Sequence, residues 1–139
     1  MHLSDLPPRK GKAPSIELRR FAGPQSHREM LAHVRVAHLT DLHFGRVTPL
    51  AVQEAAVALV NRERPDLVVI TGDFVCHSQI YLDTLGSTLR RLEAPVLGVL
   101  GNHDYWSGAD EVTQALERAG VGVLKNANTT ITVRGQRLQ

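Results

Sequence analysis

The 139-residue sequence predicts an α/β fold with a mostly parallel sheet. Three observations predict it. After Val34, β-type apolar runs alternate with helical spacings. One run, Asp66-Leu-Val-Val-Ile70, is nearly continuous, as in strands buried on both faces of a parallel sheet. Three of the runs end in similar polar clusters about 30 residues apart, the length of one strand–helix–strand unit. Hydrophobic residues make up 42% and charged residues 22%, which excludes a wholly disordered or fibrous chain.

Residues 1–33 read as a largely irregular arm. Pro7, Pro8, Gly11, Pro14, Gly23 and Pro24 interrupt it, and a short helix is predicted near Ser26–Leu31. Residues 1–35 carry a net charge of +4 and residues 36–139 a net −2. A basic arm is drawn to phosphate-rich surfaces, lipid or nucleic acid; as a plain solvated tail it aids solubility. Phe21 is its single aromatic residue, so no base-stacking platform is expected, and a membrane surface is favoured over nucleic acid.

Val34–Thr40 is the first strand. Thr48-Pro49 has the form of a helix N-cap followed by proline at the first helical position. The helix spans Leu50 to Arg62, with Leu50, Val57 and Val60 among its apolar positions, and Arg64-Pro65 ends it. Asp66–Ile70 is the second strand. Gln79–Leu92 carries Ile80, Leu82, Leu85, Leu89 and Leu92 and reads as the second helix. Pro95–Leu100 is the third strand. Ser107, with Asp110 and Glu111 behind it, opens a helix that runs to about Ala119 and closes at Gly120. Val121–Leu124 is a fourth short strand. Thr129–Val133 starts a hairpin that turns at Arg134-Gly135, with its second arm beginning at Gln136. An arm with so little chain left for it suggests a domain that continues beyond Gln139.

The clusters are Asp41-Leu-His43, Thr71-Gly-Asp73 and Gly101-Asn-His-Asp104. In an open parallel sheet the carboxyl ends of the strands share one edge, where ligands bind. Singly, each cluster is also what a turn or cap carries. Together, at three successive strand ends, they point to metal binding. Asp41 and His43 are two apart, so an extended backbone turns both the same way. Asp73 has two oxygens and can bridge two cations; Asn102 and His103 add an uncharged oxygen and a nitrogen. Mixed N/O donors suit Mn, Fe, Co, Ni or Zn.

His38, inside the first strand, reads as a core or near-core histidine. His77, Tyr105 and Trp106 read either as pocket walls or as ordinary loop packing. Cys76, the single cysteine, has no Cys-x-x-Cys partner and reads as a buried or half-buried thiol. A free thiol, with no apolar leader and no long apolar span, fits a cytoplasmic protein, peripheral at the inner face of a membrane if the arm binds lipid.

Asp41-Leu-His43, Gly72-Asp73 and Gly101-Asn-His-Asp104 resemble the first three motifs of the calcineurin-like metallophosphoesterases. Thr40–Gly45 and Gly101–Trp106 look most like the bacterial phosphodiesterase branch that includes UDP-2,3-diacylglucosamine pyrophosphatases. The resemblance implies an α/β/β/α sandwich and two divalent metal ions. By it, Asp41 and His43 hold the first ion, Asp73 bridges to the second, and Asn102 binds that one. His103 protonates the leaving oxygen or stabilises the transition state, and Asp104 orients His103. The implied reaction is phosphodiester or pyrophosphate hydrolysis by a metal-bound hydroxide, on a lipid- or nucleotide-linked substrate.

The family's later histidines, a lone one and a Gly-His-x-His pair, complete both metal shells. Here no histidine follows His103. The second half of the sandwich is also absent from residues 34–139, which are expected to be a partial domain. Two function classes follow: the N-terminal part of a hydrolase, or a truncated, non-catalytic binding or interaction module. A sheet cut in this way is expected to self-associate.

Overall fold

The computed structural model describes residues 15–30 and 33–139. The rest of the arm, including Leu31 of the expected first helix, lies outside the described residues; within them that helix is α1, Gln25–Met30. Strands β1 (Val36–Leu39), β2 (Leu67–Thr71), β3 (Val96–Val99) and β4 (Val121–Val123) form one sheet in the order β1-β2-β3-β4. All three pairings are parallel. Helices α2 (Leu50–Glu63), α3 (Leu82–Leu89) and α4 (Asn102–Arg118) connect them.

Sequential order has a direct consequence. Right-handed crossovers between neighbouring parallel strands lay every helix on the same face of the sheet. The core fits this. Val57 and Val60 of α2, Leu85 and Leu89 of α3, and Val112 and Leu116 of α4 pack with Val68, Ile70, Val96 and Val121. Ala37 and Leu39 extend the same face into β1. The opposite face holds Val36, His38, Val69, Leu97 and Val99. Val36 is 52% exposed and Val99 41% exposed. Leu67 lies on the same face and is buried, so exposure on this face is uneven.

The α/β, mostly parallel fold agrees with the sequence prediction; the differences are local. Pro49, not Thr48, occupies the N-cap position of α2, and no side chain caps the helix. Thr48 is held instead in a backbone bridge with Phe44. Leu50 is 44% exposed, while Gln53 is buried and donates from Nε2 to the Leu42 carbonyl. The expected helix 79–92 divides into a 3₁₀ turn, Gln79–Tyr81, and α3. His38 is exposed on the open face, its Nε2 at 2.7 Å from Thr71 Oγ1, because β1 alternates and this position faces away from the helices.

The largest difference is in α4. It begins at Asn102, five residues before the predicted Ser107 cap, and non-helical Gly108 interrupts it. Asp104 at its third position accepts a hydrogen bond from Gly101 N–H at 2.8 Å, a stronger start signal than Ser107. The buried Ser107 Oγ has no partner among the described residues. The hairpin forms as expected, β5 (Ile131–Val133) against β6 (Gln136–Leu138). It docks through Arg134, whose Nε donates to Asp66 Oδ1 at 2.7 Å. With the Arg35 backbone N–H on Oδ2, this holds the Asp66 carboxyl below the usual carboxylate range. Arg20 of the arm pairs with Glu63 at 2.9 Å. Among the described residues no helix is long and apolar enough to cross a membrane.

Candidate metal centre

The site begins where β1 and β2 stop being strands. Past Leu39 the chain stays laced to the segment after β2. Asp41 N–H donates to the Gly72 carbonyl, His43 N–H to that of Asp73, and Phe44 N–H to that of Phe74. Asp41, His43 and Asp73 each adopt a positive φ, near 50°. Asp and His tolerate that region better than bulky residues do, at a cost of about 1–3 kcal/mol each. The lacing holds them there. Thr40 Oγ1 adds a 2.6 Å bond to Asp41 Oδ2.

The third cluster is brought in by backbone contact. A Cβ on Gly72 would lie 2.7 Å from Gly101 N, and one on Gly101 would overlap both the backbone nitrogen and the carboxylate of Asp73. Only glycines let these two turns touch. The contact lets His103 N–H donate to Asp73 Oδ1 at 3.1 Å.

Three of the predicted metal-site residues converge. His43 Nε2 lies 3.7 Å from Asp41 Oδ1 and 3.6 Å from Asp73 Oδ2. One ligand atom from each of Asp41, His43 and Asp73 falls within 4.8 Å of the others. The other ring nitrogen, His43 Nδ1, is buried with no hydrogen-bond partner among the described residues. A carboxylate–imidazole–carboxylate set of this size fits a divalent cation of the first transition row. Asn102 opens α4 with an exposed side chain at the same sheet edge.

His103 and Asp104 differ from their expected relation. The His103 ring is oriented by the Cys76 carbonyl, 2.7 Å from Nδ1. Asp104 is fully buried and turns away from that ring. Its Oδ1 accepts from Val75 N–H at 3.0 Å and its Oδ2 from Gly101 N–H. Its carboxylate ties the turn after β2 to the start of α4, because the helical backbone directs residue 104 inward while residue 103 stays at the rim.

An aromatic wall surrounds His103. Its ring centroid is 4.8 Å from that of His43, 4.6 Å from His77 and 4.9 Å from Trp106. His77 stacks on Trp106 at an interplanar angle of 8°. Trp106 is 68% exposed and Tyr105 53%. Sequence reasoning missed Cys76, which supplies the carbonyl for His103 and a thiol near both histidines. No spacing signal marks a lone cysteine; its role depends on the turn that carries it.

Carboxylates and imidazoles gathered on loops at the C-terminal edge of a parallel sheet place this chain in the class of α/β proteins whose ligand site lies at that edge. Within that class, residues 34–133 match the calcineurin-like phosphoesterase family, and the chain belongs to it. It is 34% identical over 94 residues to an uncharacterised metallophosphoesterase of Aquifex aeolicus, covering 66% of this chain and 36% of that protein. It is 30% identical over 114 residues to phosphodiesterase YaeI of Escherichia coli, covering 78% of this chain and 42% of the relative. Over 75 residues it is 36% identical to the UDP-2,3-diacylglucosamine pyrophosphatase LpxG of Chlamydia trachomatis, covering 52% and 23%. The chain thus spans less than half the length of these relatives.

Proposed function

We propose that this chain is the N-terminal part of a metal-dependent phosphoesterase, with residues 34–139 forming half of its sandwich. The observation that carries this reading is the convergence of Asp41, His43 and Asp73 within 4.8 Å at the C-terminal sheet edge. In this reading Asp41 and His43 hold one divalent ion, and Asp73 bridges to a second that Asn102 also binds. Bound cations of this kind activate water and neutralise charge on phosphoryl oxygens. His103 stands at the rim, with Nδ1 fixed and Nε2 directed by that bond, and protonates the leaving oxygen. Asp104 serves as a positioning residue that locks the turn carrying His103 to the turn after β2.

The substrate is a phosphodiester or pyrophosphate, lipid- or nucleotide-linked, by likeness to the phosphodiesterase YaeI and the pyrophosphatase LpxG. The basic arm provides contact with an anionic membrane surface from the cytoplasmic side. Calorimetric titration with Mn²⁺ tests the site. Binding is expected in the parent and lost in Asp73→Asn, which keeps an oxygen for the His103 N–H and removes the charge. Equal Mn²⁺ binding by both proteins would overturn the reading.

A second reading, a non-catalytic interaction module, is favoured by the open sheet face with Val36 and Val99 exposed. Hydrolysis of bis(p-nitrophenyl) phosphate in Mn²⁺ would exclude this second reading.

A further inference from the structure

A further cluster of potential ligands lies at the turn after β2. Cys76 Sγ, one nitrogen of His43 and one nitrogen of His103 all lie within 4.8 Å of one another, and all three residues are half-buried. We propose that these three side chains form a thiolate–imidazole site for zinc-like ions, separate from the two-ion carboxylate centre and competing with it for the one lone pair of neutral His43.

The donor chemistry differs in kind from that of the first site. Asp41 and Asp73 offer hard oxygens, suited to manganese. One thiolate with two imidazoles is a soft, three-ligand set that selects zinc, cobalt or cadmium and leaves a fourth position open. Zn–S and Zn–N bonds of about 2.3 and 2.0–2.1 Å put tetrahedral ligand atoms roughly 3.5 Å apart. Closing from 4.8 Å therefore takes a movement of about 1 Å, which side-chain rotation supplies.

Two details of the hydrogen bonding prepare the site. A carbonyl oxygen can only accept, so His103 Nδ1 carries the proton in its 2.7 Å bond to Cys76 O. That leaves Nε2 of the neutral ring with a free lone pair. Metal-binding histidines commonly donate their second nitrogen to a backbone carbonyl, which sets this tautomer. His43 also has a nitrogen to give. With Nε2 protonated toward the two carboxylates, the lone pair sits on Nδ1, which is buried and unpartnered among the described residues. Cys76 is held in place as well, its N–H donating to the Phe44 carbonyl at 3.2 Å.

The consequence rests on the proposed role of His103. An ion bound here occupies the Nε2 position that must carry a proton for His103 to act as an acid and takes His43 from the carboxylates, so zinc-like ions compete with turnover while manganese at the carboxylates supports it.

The test is a Co²⁺ titration of the reduced protein, followed by thiolate-to-cobalt charge-transfer absorption in the near ultraviolet. Cys76 is the only cysteine, so any such band reports this residue. The band is expected in the parent and in Asp73→Asn, and Zn²⁺ should bleach it. Cys76→Ser should abolish it, and His103→Ala should weaken the Co²⁺ affinity behind it at least tenfold. Circular dichroism confirms that each variant is folded. Co²⁺ binding without the band overturns the proposal. So does a band of undiminished affinity in His103→Ala, because the thiolate would then bind without the imidazole. A protein that binds Mn²⁺ through Asp73 but shows no band with Co²⁺ refutes this site alone and leaves the carboxylate reading standing.

Discussion

Removing the Asp104 carboxylate should cost stability first and chemistry second. Asp104 is fully buried and accepts from two backbone donors, Val75 N–H at 3.0 Å and Gly101 N–H at 2.8 Å. In Asp104→Ala both donors lose their acceptor inside the protein. An orphaned buried donor costs about 1–3 kcal/mol. Loss of a negative charge from the first turn of α4 adds about 0.3–1 kcal/mol. The sum is about 4 kcal/mol, a large share of the roughly 5–15 kcal/mol that holds a domain together. In Asp104→Asn one oxygen remains and an amide NH₂ faces the other donor, so about half that loss is expected, near 2 kcal/mol. Urea unfolding measures both. With a slope of about 2 kcal/mol per molar, the midpoint should fall by about 1 M for Asn and 2 M for Ala. If Ala proves too unstable to purify, Asn still decides the matter. An Asn midpoint within about 0.25 M of the parent would refute the reasoning. Joined to a lost His103 function, it would restore the sequence-based role of Asp104 as the group that orients His103.

Gly101→Ala should be worse tolerated than an ordinary surface glycine change, because its Cβ would overlap Asp73. Loss of Mn²⁺ binding together with a fall in melting temperature is the expected pair of results. Asp66 should titrate below the usual carboxylate value in the parent, first because of the Arg134 side chain and then the Arg35 N–H. Arg134→Ala should move it back up, as followed by carboxyl NMR. A depressed folded value means that this interaction stabilises fully above about pH 3.9 and that its contribution is lost as pH falls through the folded value. His103→Asn should keep Mn²⁺ at the carboxylates and, under the proposed function, lose about 10²–10⁴-fold in rate. The loss should shrink with a p-nitrophenolate leaving group, which needs little protonation; elemental analysis showing missing manganese would make His103 a ligand of the carboxylate centre instead.

The fold class and the edge on which the site lies were legible in the sequence, because both rest on local signals. Apolar runs such as Leu67–Ile70 and the helical spacing of Val57 and Val60 record burial directly in residue order. Parallel pairing then leaves the ends after Leu39, Thr71 and Val99 on one edge. Boundaries were less legible where two local signals competed, as at α4, where Asp104 bonding to Gly101 N–H prevailed over Ser107. Which atoms meet at the site was decided by tertiary structure alone. The left-handed turns at Asp41, His43 and Asp73 break the alternation that sequence reasoning uses to aim a side chain. Contacts between Gly72 and Gly101, between Asp104 and Val75, and between His103 and the Cys76 carbonyl join residues 27 to 29 positions apart. No periodicity within one element encodes such a pair; the packing of the turns against one another selects it.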